Sequence, residues 1–191
     1  MEYTQNDRIF KEGLDAIIGL NGRVNASRAN YLFQKLYKEG YEPKLDSDFP
    51  MSRFKELAEV LDRFPNESHP VEYDFNDLES TFNAASHGDP DAAYDMFFNC
   101  ILHDNRKYSE FEDMITNVNI ANFYLIKAME YGNLHAKVRL AISYVLGDAG
   151  FTNPKLALKL VDELRSIGYE SDPDDALTLD EIEHDARILM N

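Results

Sequence analysis

The stretch KAMEYGNLHAKVRLAISYVLGD, residues 127 to 148, decides the fold. Gly132 sits in it between two apolar, helix-favouring runs. Alanines fall where larger residues usually fill a core. The stretch is therefore either one helical hairpin or the junction between two units of a repeat.

Counting back from Gly132 separates the two readings. Ala121 lies eleven residues earlier, and Asn117 four before that. The same offsets lead from Gly168 to Ala157 and Asn153, and from Gly40 to Ala29 and Asn25. Three segments thus share Asn-x3-Ala-x10-Gly: NASRANYLFQKLYKEG, NVNIANFYLIKAMEYG and NPKLALKLVDELRSIG. Asn is a favoured N-cap, because its side chain accepts from the orphan amides of the first turn. Pro154 follows Asn153 at the first helical position, where a missing N–H costs nothing. The alanine lets a neighbouring helix approach closely, and the glycine is a left-handed stop. A weaker copy, NDLESTFNAASHG, ends at Gly88 and has Asp77 in the alanine position.

The spacings between Gly40, Gly88, Gly132 and Gly168 are 48, 44 and 36 residues. A unit of two helices and two turns takes roughly 34 to 40 residues. Each capped helix should then be the second of a pair. Helical periodicity places the first members over residues 9–20, 52–64, 92–102 and 136–146; Ala136, Leu140, Ala141 and Tyr144 form the last stripe. At the C-terminus, Thr178 and Glu181 form a capping-box signature before the stripe Leu179, Ile182, Ala186 and Leu189.

These residues resemble the Sel-one-like repeats, relatives of the tetratricopeptide repeat. The family unit runs A-x3-L-G-x2-Y-x2-G, then a short loop, then a second helix ending K-A-A-x-x-G. Residues 136 to 168 follow it through Ala136, Leu140, Ala141 in the glycine position, Tyr144, Gly147, Asn153, Ala157, Leu164 and Gly168. Residues 117 to 132 supply Asn117, Ala121, Tyr124, Lys127, Ala128 and Gly132. The match is good from about 88 to 168, partial at 22 to 40 and poor at 41 to 87. Residues 103 to 116 lengthen a loop, Cys100 stands for the usual tyrosine, and Leu156 for the usual lysine.

The resemblance implies an all-α fold: a right-handed superhelical array of about four antiparallel helix pairs with a C-terminal capping helix. One domain would span the chain, with units near 7–40, 50–88, 89–132 and 133–168 and the cap at 178–190. It also implies an interaction scaffold or adaptor rather than an enzyme.

Charge narrows the partners. The net charge is −16 and its distribution is uneven. Phe64 to Asn105 carries nine acids and no Lys or Arg, and residues 166 to 191 carry eight acids against Arg187 alone. Such a balance opposes binding to nucleic-acid backbones and to anionic membranes, and favours a basic partner. No apolar run approaches a membrane span, MEYTQNDRIF lacks the pattern of a secretory signal, and one cysteine forms no internal disulfide. The expectation is a cytoplasmic protein, with Cys100 a buried small hydrophobe.

Chemistry-bearing motifs are weak. The histidines lack ligand spacing, so HDN at 103–105 is no convincing metal site. LDSD at 45–48 and DPDD at 172–175 lack the frame of a calcium loop. Glu110, Glu112 and Asp113 read as solvated acids rather than as an acid–base pair. No phosphate-cradling loop is present, and no metal or cofactor is expected. Tyr31, Phe33, Phe123 and Tyr124 read as a core stripe.

The first helices of the pairs commonly line the inner surface of such arrays. That face would present Asp91, Asp95 and Asn99 on one unit and His135, Arg139 and Ser143 on the next, with Asp74 and Asp77 beside them. The leading expectation is an acidic concave surface that docks a basic protein, with an immunity protein or toxin inhibitor as its concrete form. The alternative is a regulatory or chaperone-like adaptor that holds a peptide segment in the groove.

Overall fold

A computed structural model describes residues 4–20, 22–43, 49–102, 109–148, 151–172 and 175–190. Among the described residues the chain is all-helical, with no strand. Its helices are α1 (Gln5–Ile18), α2 (Ala26–Lys38), α3 (Met51–Leu61), α4 (Leu78–His87) and α5 (Pro90–Ile101), followed by α6 (Glu110–Ile115). A 3-10 turn (Val118–Ile120) leads into α7 (Ala121–Glu130), then α8 (Leu134–Leu146), α9 (Pro154–Ser166) and α10 (Leu179–Leu189).

Local chemistry sets these ends. Asn25 accepts from the Arg28 amide at 3.0 Å and Asn153 from the Leu156 amide at 3.2 Å. Asn117 instead accepts from the Asn119 amide at 2.9 Å and starts the 3-10 turn, so the α-helix begins four residues later, at Ala121. Gly40, Gly88, Gly132 and Gly168 all have positive φ, as left-handed helix stops require. The Thr178–Glu181 capping box opens α10.

Most helices pack on their neighbours in sequence: α1 on α2, α2 on α3, α4 on α5, and then α5, α7, α8, α9 and α10 each on the next. Residues 50–88 depart from the expected hairpin. α3 lies on α2 and touches α6, while α3 and α4 share at most marginal contact. The cause is the intervening segment, which docks elsewhere. The Phe64 ring lies edge-on to Phe123 at 5.1 Å and to Phe82 at 5.9 Å. Pro65 O accepts from Lys127 Nζ at 3.1 Å and from Tyr131 Oη at 2.9 Å. Further on, the His69 amide donates to Gly88 O at 2.9 Å and the Val71 amide to Asp89 Oδ2 at 2.8 Å. Beside α2, α3 meets α6 rather than α4.

α1 closes the arrangement by touching both α7 and the 3-10 turn. Aromatic rings bind the first three helices: Phe10 meets Phe33 at 5.6 Å and Phe54 at 4.9 Å. Phe33 approaches α1 at Gly13, where a Cβ would lie 2.3 Å from Phe33 Cε1. Phe33, Phe123 and Tyr124 are fully buried as the stripe predicts, but Tyr31 is 62% exposed. Cys100 is buried, its Sγ 3.8 Å from Ile115 O, and burial pushes its thiol far up. Within the stretch expected as a long loop, Ser109 and Glu112 form a capping box that starts α6. Among the described residues no helix is long and apolar enough to cross a membrane.

Candidate functional site

The opening stretch positions one wall of a groove. Gly132 ends α7, and Asn133 caps α8 by accepting from the Ala136 amide at 2.7 Å. From there α8 runs so that Arg139 and Ser143 face a cavity of about 770 Å³. That volume lies within the ~300–1,000 Å³ range of ligand clefts. The opposite wall is α1 and α3, through Leu14, Ile18, Phe54 and Leu57. α5 adds Phe97 and Ile101, and residues beyond helix ends add Leu20, Phe49 and Phe151. The floor is the 3-10 turn and the start of α7, with Ile120 among Asn117, Asn119 and Asn122. Helices α1, α3, α5 and α8, the ones expected as first members of the pairs, all contribute to this cavity.

Its charges are matched internally. Lys11 Nζ lies 2.8 Å from Asp15 Oδ2. Arg139 Nη2 lies 3.2 Å from Asp148 Oδ2, and its guanidinium stands over the Phe97 ring at 5.9 Å. The groove therefore offers aliphatic and aromatic surface with few uncompensated charges. Ile101 is 42% exposed at its edge.

The sequence-expected residues divide. Arg139 and Ser143 line the groove. Asp91, Asp95 and Asn99 lie on the same helix as Phe97 and Ile101 but turn away from the cavity lining. Asp91 Oδ1 accepts from Asn133 Nδ2 at 2.8 Å. Asp95 Oδ2 accepts from Tyr73 Oη at 2.7 Å, and Asn99 Nδ2 donates to Asp95 O at 3.0 Å. Asp74 holds a turn by accepting from the Asn76 amide at 2.9 Å, and Asp77 caps α4. His135 is exposed on α8. Asp89 is buried as the cap of α5, with its Oδ1 taking the Asp91 and Ala92 amides at 3.0 and 2.7 Å. Part of the acidic block is thus structural.

The electrostatics follow from this packing. Burial raises the Asp95 carboxyl above the usual carboxylate range; the Tyr73 hydroxyl opposes that, while Asp91 and Asp89 reinforce it. Tyr73 itself is pushed up, first by burial and then by its bond to Asp95.

Among the described residues no group of three or more His, Cys, Asp or Glu is placed to hold an ion. HDN at 103–105, LDSD at 45–48 and the centre of DPDD lie outside the described residues, as does Asp104. Glu110 pairs with Arg53, and Glu112 closes the cap of α6.

Sequence reasoning missed the groove's apolar residues. The signal was the spacing of Tyr94, Phe97 and Ile101 on α5, three and four residues apart, which marks a face distinct from Asp91 and Asp95. No protein family, curated protein or solved structure matches this chain.

Proposed function

We propose that this protein is a helical scaffold without catalytic function that holds a segment of a partner polypeptide in the groove between α1–α3 and α5–α8. The groove carries the reading: about 770 Å³, walled by four helices and largely apolar, with its charges paired inside. Apolar anchors packed into a desolvated slot supply most of the holding energy in such interfaces. The serial packing of α5, α7, α8, α9 and α10 supports a right-handed superhelical array of the Sel-one-like type, with α10 as its cap. Inhibition of a basic toxin through an acidic face is the competing reading. Asp74, Asp77, Asp91 and Asp95 are engaged by hydrogen bonds within the fold, so the groove rather than a charged face leads.

A photo-crosslinking residue at Ile101 tests the proposal against one at Tyr31, which is exposed on α2. Irradiation in the native cell should give discrete polypeptide adducts through position 101 and none through position 31. Equal labelling at both positions, or none at 101, would overturn it.

A further inference from the structure

A second, smaller pocket lies against another face of α8. Arg139 and Ser143 line the groove, whereas Lys137, Leu140 and Tyr144, three and four residues apart, line this pocket. Leu156 and Leu160 on α9 and Met129 on α7 complete its apolar part. The turn after α1 supplies the remaining side through Gly22 and Arg23. Gly22 has φ of 78° and donates its amide to Gly19 O at 2.7 Å. A Cβ there would lie 2.8 Å from Leu156 Cδ1, so the turn rests directly on α9. The volume is about 220 Å³, below the ~300–1,000 Å³ of larger clefts, and admits only a small occupant.

Two independent features name its chemistry. The first is charge. Lys137 Nζ lies 3.0 Å from Glu163 Oε2 and Lys159 Nζ 3.6 Å from Glu163 Oε1, so two ammonium groups share one carboxylate. Glu130 is matched from outside the pocket by Lys127 at 3.2 Å. Arg23 is exposed and has no ion pair among the described residues. With Glu130 assigned to Lys127, three cations face one carboxylate, and the lining holds two positive charges in excess within a chain of net charge −16. The second feature is Tyr144. It is 1% exposed, and its hydroxyl is buried without a hydrogen-bond partner. Burial pushes that hydroxyl up to about 12, so it stays a proton donor at neutral pH. An unpaired buried hydroxyl is costly, and a ligand acceptor would relieve it.

We propose that this pocket binds a small carboxylic acid with an apolar body. The carboxylate takes the surplus positive charge, for which the planar guanidinium of Arg23 offers paired donors. The body packs on Met129, Leu140, Leu156 and Leu160, and a ligand oxygen accepts from Tyr144. The site stands apart from the groove and does not depend on a polypeptide there.

Hexanoate, phenylacetate and their neutral amides are the probes, followed on the full-length protein by methyl NMR of labelled Leu, Ile and Met. The acids should shift the Met129, Leu140, Leu156 and Leu160 methyls and bind about tenfold more tightly than the amides at low salt. Arg23→Gln, at an exposed position, should remove most of that preference. Tyr144→Phe should weaken the acids about three- to tenfold while Tm holds or rises, because an unpaired buried hydroxyl is lost. A purely structural tyrosine would not combine these two effects. Equal binding of acid and amide, shifts confined to groove methyls such as Leu14 and Ile18, or no binding by any probe overturns the proposal. So does affinity unchanged in both Arg23→Gln and Tyr144→Phe. Inorganic phosphate is the last arm: binding as tight as that of the acids would reveal a general anion sink and overturn the apolar body.

Discussion

Phe64→Ala tests how the first three helices are joined to the rest. Phe64 follows α3, is 6% exposed, and its ring meets three others: Phe123 at 5.1 Å, and Phe82 and Tyr124 at 5.9 Å each. Truncating a buried Phe to Ala costs about 3–5 kcal/mol, which covers lost transfer energy and the cavity. Ring pairs of this geometry contribute about 0.5–1.5 kcal/mol each beyond burial, so the value should sit near the middle or top, at about 4 kcal/mol. In a domain of this size each kcal/mol lowers Tm by about 2–4 °C, giving a fall of about 8–16 °C. Urea unfolding followed by circular dichroism at the helical band measures the loss. Phe75→Ala, at a residue 69% exposed, is the control and should change stability by less than about 0.5 kcal/mol. Pairing Phe64→Ala with Phe123→Ala should show coupling of about 0.5–3 kcal/mol, because the rings touch. A Phe64→Ala loss below about 1 kcal/mol, or strict additivity with Phe123→Ala, would refute the joint described here.

Glycine positions give predictions of opposite expectation. Gly13→Ala improves helix propensity by about 1 kcal/mol, but its Cβ would fall 2.3 Å from the Phe33 ring, so a net loss of about 1–2 kcal/mol should appear in thermal melts. Gly88→Ala combines φ of 101° with a Cβ 2.5 Å from Glu67 O, and should cost more than Gly40→Ala, where φ is 68° and no atom lies within 4 Å. Matched denaturation curves rank the two, and equal losses would contradict the docking of residues 67–71 on Gly88. Asp95→Asn should stabilise at neutral pH. The folded carboxyl is raised above its unfolded value, chiefly by burial, so folding takes up a proton and stability falls as pH rises through the interval between the two values. Unfolding measured against pH should show the Asn variant's advantage shrinking as pH falls through that interval and levelling off below the unfolded carboxyl's pKa, near ~3.9.

What the sequence disclosed was local. Asn25, Asn153 and the positive-φ glycines announce helix ends because capping is settled within a few residues. α6 was signalled by Ser109 and Glu112, a capping box three residues apart, but its six residues are too short to show a stripe. Asp77 and Asp89 were legible as caps too, each just before a helical run, although their acidity suggested a partner surface. The separation of α3 from α4 was not legible. It depends on Phe64 choosing Phe123 across the chain, a contact no period encodes. The groove was half legible: the pattern indicated which helices line it, while the rotation of α5, with Phe97 inward and Asp95 against Tyr73, followed from packing of a segment with no repeat signal.

The central claim is that a partner segment lies in the groove. Hydrogen–deuterium exchange of the full chain, with and without a library-selected peptide, addresses it directly. Slowed exchange over residues 11–20, 97–102 and 117–122, with α2 unchanged, is the predicted result. Protection on α2 or the outer side of α9, with the groove segments unaltered, would contradict it.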